Sequence, residues 1–389
     1  MNQVQKLIEE LCPEGVEHIS ITEAAKYVRG LTYSKDKESA TGSIKVLRSN
    51  NINQSQNVLE LTGVKTLDHS VKVRAEQKLW KGDILMSAAS GSRLHVGKVA
   101  YIWEDMDFYF GGFMAVWRTS KKLLPRFLFH ILTSSDFSSY LDTAISSSTI
   151  NNLSESVLKA YLVPAPPIEV QKEIVRILDT FTELEAELET ELRARERQFD
   201  FYRDSLLTFA DVAISRKLCI SSLANRIASG SNKVRAATGA FPVFGSTGVI
   251  GYSDSPAYSG EVLLVARVGA NAGKVNAASG EFDVSDNTLV ISPNEEWDVR
   301  FAFHQLTHMN LNQYAVGGGQ PLITGGLLKN LEVTVPPLQE QKRIASILDR
   351  FNALINDPSE GLRAELTSRG KQFQYYRDIL LNFDELEFA

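Results

Sequence analysis

An internal duplication limits the fold of this chain more than any single motif. Residues 158–209 read LKAYLVPAPPIEVQKEIVRILDTF…QFDFYRDSLLTF, and residues 328–383 read LKNLEVTVPPLQEQKRIASILDRF…QFQYYRDILLNF. Each copy carries a double proline, then Gln-Lys, then Ile-Leu-Asp and Phe, and closes on Tyr-Arg-Asp and Leu-Leu. The likeness extends outward. Arg126–Thr133 (RFLFHILT) returns as Arg300–Thr307 (RFAFHQLT), and Gly82–Met86 resembles Gly260–Leu264. A Gly-Lys-Val follows each of these, from Gly97 and from Gly273. The module openings match loosely, Ala24…Tyr27-Val28…Gly30 against Ala224…Ile227-Ala228…Gly230. Self-similarity of this kind governs the whole architecture. It implies two globular modules on a duplicated helical frame, in pseudo-two-fold relation.

Pro166-Pro167 ends an extended segment and opens a helix, because proline suits only the first helical turn. Beyond it, apolar residues recur at helical spacing with no glycine or proline to interrupt them. A helix of ~40 residues, ~60 Å long, is expected. That length calls for a coiled-coil partner, and the second copy can supply one lying antiparallel. Ile174, Leu178, Phe181, Leu188, Leu192 and Tyr202 in the first copy are the expected spacer and subunit-interface residues. Ile344, Leu348, Phe351 and Tyr376 are those of the second. Glu183, Glu185, Glu187, Glu189 and Glu191 read as a solvated face. Pro358 and Gly361 should break the second copy, with a restart near Leu362.

The modules mix short strands with a helix. Ile44–Leu47, Ile84–Met86, Lys98–Tyr101 and Met114–Trp117 read as strands and Pro125–Leu132 as a helix. In the second module Val262–Ala266, Lys274–Asn276 and Thr288–Ile291 read as strands, with a helix near Phe301–Leu306. The fold class is therefore mixed α/β. Its divisions are 1–157 (first module), 158–215 (central helical region), 216–329 (second module) and 330–389 (distal helical region).

Charge separates frame from modules. The four regions carry +1, −5, +1 and −3, summing to the −6 of the chain, so the acid sits on the helices. Neither module has the basic excess of a self-sufficient DNA binder. No apolar run approaches the ~20 residues of a membrane helix. The N-terminal MNQVQKLIEELC lacks a signal-peptide core, and two cysteines cannot build a disulfide framework or zinc cluster. A cytoplasmic protein is expected, without membrane contact.

Catalytic readings fail on spacing. Gly269…Gly273-Lys274-Val275 has three residues between its glycines where a phosphate loop needs four, and Val275 replaces the magnesium-binding hydroxyl. His304 and His308 have metal-pair spacing, but no Glu lies between them and His308 is matched by Ser134 in the other copy. No Asn/Asp-Pro-Pro-Tyr/Phe motif for amino methylation is present. No catalytic or metal site is expected.

With these residues in view, the chain resembles the specificity subunit of a type I restriction–modification system over essentially its full length. The resemblance rests on the duplicated Pro-Pro…Gln-Lys…Ile-Leu-Asp…Phe blocks and the Tyr-Arg-Asp…Leu-Leu endings. Phe244-Gly245-Ser246-Thr247-Gly248 and Gly319-Gln320-Pro321 add to it. It implies a non-catalytic subunit whose two target recognition domains each read half of a split double-stranded DNA sequence. It also implies helices that set the spacer and bind two methyltransferase subunits, with restriction subunits joining them. S-adenosylmethionine, ATP and magnesium would belong to those partners, with no cofactor in this chain. A recognition subunit of a fused methyltransferase–endonuclease, or a coiled-coil protein scaffold, are the alternative readings. Loops carry recognition on such scaffolds. Ser90, Ser92, Arg93, Ser147, Ser148, Thr149 and Asn151 are the DNA-binding candidates of the first module. Ser246, Arg267, Asn271, Lys274 and Gln320 are those of the second. Arginine can bond guanine, and Asn or Gln adenine, in the major groove.

Overall fold

The computed structural model describes residues 2–53, 56–146, 152–208, 215–233, 236–317 and 319–386. The chain forms two compact units, Met1–Glu187 with Thr367–Ala389, and Leu188–Leu366.

Each unit is built on an antiparallel four-stranded sheet. The first contains β1 (Ala25–Arg29), β2 (Ile84–Ser87), β3 (Val99–Tyr101) and β4 (Met114–Thr119), in the order β1-β4-β2-β3. The second contains β5 (Ala224–Ser229), β6 (Val262–Ala266), β7 (Val275–Ala278) and β8 (Thr288–Pro293), in the order β5-β8-β6-β7. Register matches between them except for an irregularity in β5 between Ala224 and Arg226. Ala115 faces Arg29 and Met86, as Leu289 faces Ser229 and Val265. Strands β2 and β6 are buried along their whole length, which is why they read as apolar runs rather than alternating ones. Beside each sheet lies a smaller one containing a parallel pair, Ile44–Leu47 with Tyr109–Phe110 and Phe241–Gly245 with Glu281–Val284.

The duplicated frame follows in both units. A short antiparallel ribbon pairs His18–Ser20 with Leu162–Pro164, and another pairs Arg216–Cys219 with Glu332–Val335. The prolines then open α3 (Ile168–Leu207, 40 residues) and α5 (Leu338–Asn356). The break falls where Pro358 and Gly361 place it, and α6 (Leu362–Leu381) restarts the helix. Within the first unit Phe181 on α3 stacks on Phe373 and Tyr376 of α6, with ring centres 5.9 and 5.5 Å apart. Within the second, Tyr202 lies 5.3 Å from Phe351, and Arg363 pairs with Glu196. The pairing is antiparallel in each.

The repeated motif residues dock the module helices α1 (Pro125–Leu132) and α4 (Val299–His308) onto this frame. The Gln171 amide accepts from Leu124 N–H and donates to the carbonyls of Lys122 and Pro166, each at 2.8 Å. Gln341 repeats this with Asp298, Glu296 and Pro336 at 2.8–2.9 Å. Asp179 receives Arg126 and His130, and Asp349 receives Arg300 and His304. Ile174, Leu178, Ile344 and Leu348 are buried in their own units' cores. Burying each such side chain contributes ~1.5–3 kcal/mol. One element was hidden in the sequence. Helix α2 (Ser135–Ser146) is rich in serine, a poor helix former, yet Phe137, Leu141 and Ile145 align on one buried face.

Candidate nucleic-acid interface

In each unit four chain segments converge at one end of the four-stranded sheet. Strand β1 ends on Arg29 and β5 on the equivalent Ser229; each is followed by a glycine. A Cβ on Gly30 would lie 2.1 Å from the Gly111 carbonyl oxygen, and one on Gly230 would lie 2.4 Å from that of Ser285. Only glycine lets the backbones pass this closely. The loop after β2 donates from Ala88 and Ala89 N–H to the Phe113 carbonyl, both at 2.9 Å. The loop after β6 donates from Arg267 N–H to the Asn287 carbonyl, also at 2.9 Å. A returning segment closes each cluster: Leu153 N–H donates to Ala88 O and Ile323 N–H to Arg267 O, both at 2.8 Å. Backbone hydrogen bonds therefore equate position 29 with 229, 88 with 267, and 113 with 287.

The side chains at these matched positions differ. In the first unit the Arg29 guanidinium lies over the Tyr27 ring, 5.6 Å from its centre. It donates to Asn152 Oδ1 at 2.6 Å and to the Leu153 carbonyl at 3.1 Å. Tyr27 donates its hydroxyl to the same carbonyl at 3.2 Å and packs 4.8 Å from Trp117. Burial pushes that hydroxyl up to about 12, against the opposing pull of Arg29, so Tyr27 stays a neutral donor. The Phe113 ring beside this cluster is 74% exposed, although its backbone is tied down. In the second unit Arg267 supplies the guanidinium, with Nη1 donating to Ser229 Oγ at 3.4 Å. Its buried Nε has no partner among the described residues. Ser246 donates to the Asn287 carbonyl at 3.2 Å, so Ser246 and Arg267 share one acceptor.

The sequence candidates fall unevenly on this geometry. Ser246 and Arg267 meet at Asn287, and Asn271 and Lys274 are exposed in the turn joining β6 to β7. Gln320 is exposed beside Pro321, whose carbonyl accepts from Gly269 N–H at 3.0 Å. Ser90 and Ser92 shape the loop after β2, with Ser92 N–H donating to Ser90 Oγ at 3.2 Å. The Arg93 guanidinium is held by Asp142 of α2, donating to its carbonyl oxygen at 2.7 Å. Ser147, Ser148, Thr149 and Asn151 lie outside the described residues. Arg29, Asn152, Phe113 and Asn287 went unread. Their signal was a mismatch within a match: Arg29 stands against Ser229, immediately before glycines that do agree.

On the frame, Leu188, Leu192, Phe181, Phe351 and Tyr376 are half-buried and Tyr202 is exposed, while Ile174, Leu178, Ile344 and Leu348 are consumed by the core. The strongly exposed aromatics on these helices are Phe201 and Tyr375, at matched positions in the two copies.

Other chemistry is accounted for locally. His304 is buried against Asp349, whereas His308 lies 3.4 Å from Asp204. Gly97 and Gly273 are matched left-handed turn residues at φ +83° and +88°, opening β3 and β7. Among the described residues no cluster of His, Cys, Asp and Glu could hold a metal, and no helix is long and apolar enough to cross a membrane.

Two mixed units with one sheet order, a shared docking motif and unlike loops define a duplicated recognition scaffold. The family pattern of the type I restriction modification DNA specificity domain matches residues 13–195 and 222–368, and the chain belongs to that family. It is 33% identical to the EcoprrI specificity subunit of Escherichia coli over 225 residues, 53% of this chain and 56% of that protein. It thus spans little more than half the length of that relative. A Haemophilus influenzae protein assigned as a type I restriction enzyme specificity subunit is 29% identical over 330 residues, covering 78% of this chain and 83% of that one. The crystal structure of a type I S subunit from M. genitalium shares the fold, with TM-score 0.59, 16% identity and 96% of each chain covered.

Proposed function

We propose that this chain is the DNA-reading subunit of a type I restriction–modification enzyme and performs no chemistry itself. Residues 1–157 and 216–329 act as target recognition domains, each reading one half of a bipartite double-stranded target. Residues 158–215 and 330–389 set the spacer and dock two methyltransferase subunits, to which restriction subunits add. S-adenosylmethionine, ATP and magnesium enter through those partners, in the cytoplasm. One observation carries this reading: two sheets of the same strand order, in matching register at one end, close in clusters with unlike side chains, on a frame that is duplicated with its docking residues intact. A constant frame with variable tips is what reading two different half-sites requires. Near-neutral modules support a partner that supplies much of the phosphate contact. The test is co-expression with a type I methyltransferase subunit from the same host, followed by methylome sequencing. A split methylated motif that disappears without this chain is expected; methylation independent of the chain would refute the reading.

A further inference from the structure

We infer that the matched positions 29/229, 88/267 and 113/287 are the specificity-determining cluster of each module. Arg29 and Phe113 contact bases of one half-site, and Arg267 and Asn287 contact bases of the other. The inference rests on the DNA-reading function proposed above and names the residues that execute it.

The argument begins with what is constant. Paired glycines, paired backbone hydrogen bonds and matching strand register at this end of the sheets hold the three positions in the same relation in both units. What varies is chemistry: Arg, Ala and Phe in the first, Ser, Arg and Asn in the second. Each cluster keeps one guanidinium but launches it from a different strand, from the end of β1 at Arg29 and from the loop after β6 at Arg267. A purely structural arginine would have no reason to change strand while the frame stays fixed. Arg29 is aimed by Asn152 and Tyr27, and the bonds to protein use only Nη2. Its other N–H groups are left for a planar acceptor edge such as guanine O6 and N7. Arg267 is half-exposed and, among the described residues, donates only through Nη1, to Ser229 Oγ at 3.4 Å, so Nη2 is left for such an edge in the same way. Phe113 presents an open ring on a backbone pinned by two hydrogen bonds. An exposed apolar ring held this rigidly suits contact with a base.

The test uses the complex assembled with its methyltransferase subunits, after the wild-type methylome has defined the target. Binding is measured by competition with duplexes carrying each single-base change, for Arg29→Gln, Phe113→Leu and Arg267→Gln. Arg29→Gln and Phe113→Leu should lower discrimination roughly 5- to 150-fold at one or two positions of one half-site and leave the other half unchanged. Arg267→Gln should do the same in the opposite half. Arg29→Lys should keep part of the preference, whereas a merely structural role would lower the melting temperature without reordering the duplexes. Should Arg29→Gln fail to assemble, Asn152→Ala, which removes only the aiming contact, should alter the same half-site. Unchanged discrimination in folded variants, or loss at both halves from one substitution, overturns the inference. A wild-type enzyme without a split target overturns the underlying reading as well.

Discussion

His130 Nε2 lies 2.9 Å from the carboxylate of Asp179. The contact fastens the first module helix to the long frame helix, and the second unit repeats it between His304 and Asp349 at 2.7 Å. The imidazole of His130 is held neutral. Burial drives it down to about 4, only partly opposed by Asp179, and its Nδ1 is buried without a partner among the described residues. Burial likewise lowers His304.

Acid should therefore weaken the fold in a defined window. The unfolded imidazole takes a proton near pH 6.5 and the folded one near 4, so the unfolded state binds more protons in between, and stability rises with pH across that interval. Burial pushes Asp179 up, but His130 and Arg126 outweigh it and hold it low, which adds a further loss below its ordinary range. Denaturant unfolding from pH 4 to 8 should show stability falling below 6.5, with a shallower slope in His130→Gln. A flat profile for the parent protein would exclude this account.

Gln171 and Gln341 each satisfy one backbone N–H and two carbonyls at a frame helix start. Replacing either by Ala should cost about 3 kcal/mol, because buried backbone groups lose their partners. Gln341→Glu should be worse than Gln341→Ala, since it sets a second oxygen against the carbonyls of Glu296 and Pro336. Unfolding midpoints of the three variants decide the order.

Phe201 and Tyr375 are 68% and 62% exposed at matched positions on the frame helices, where the buried apolar residues are spent on the chain's own core. Each should anchor one methyltransferase subunit. Phe201→Ala and Tyr375→Ala should each weaken one docking event by more than ~1 kcal/mol. Native mass measurement should then show complexes with one methyltransferase in place of two; undiminished two-to-one assembly in the double variant would remove these rings from the interface.

Four residues inserted after Leu188 would lengthen α3 by roughly 6 Å, close to two base pairs of rise, while turning its apolar stripe only slightly past one full turn. Methylome sequencing of the insertion variant should show unchanged half-sites around a longer spacer. An active enzyme with the original spacer would mean that α3 is not the ruler.

The duplication, the 40-residue helix from Ile168, and the break between Asn356 and Leu362 were all legible in the sequence. Each depends on local physics: proline opens a helix or stops it, and apolar spacing of 3.6 sustains it. Six of the eight strands of the two main sheets were legible too, because buried runs such as Ile84–Ser87 are bounded by turn residues, whereas the half-exposed edge strands β1 and β5 were not. Helix α2 was not, since its serines argue against a helix and only burial of Phe137, Leu141 and Ile145 outweighs them. The meaning of the repeated Gln and Asp was equally hidden. Both occupy helices that their own neighbours explain, while their partners lie about 50 positions away in the chain. The reading clusters depended most on tertiary structure. Arg29 reaches Asn152 across 123 residues, and strand register turns its loose sequence match to Ser229 into a structural equivalence. Local sequence determines which elements form, whereas a site assembled from the ends of several strands exists only once non-local pairing has brought those ends together.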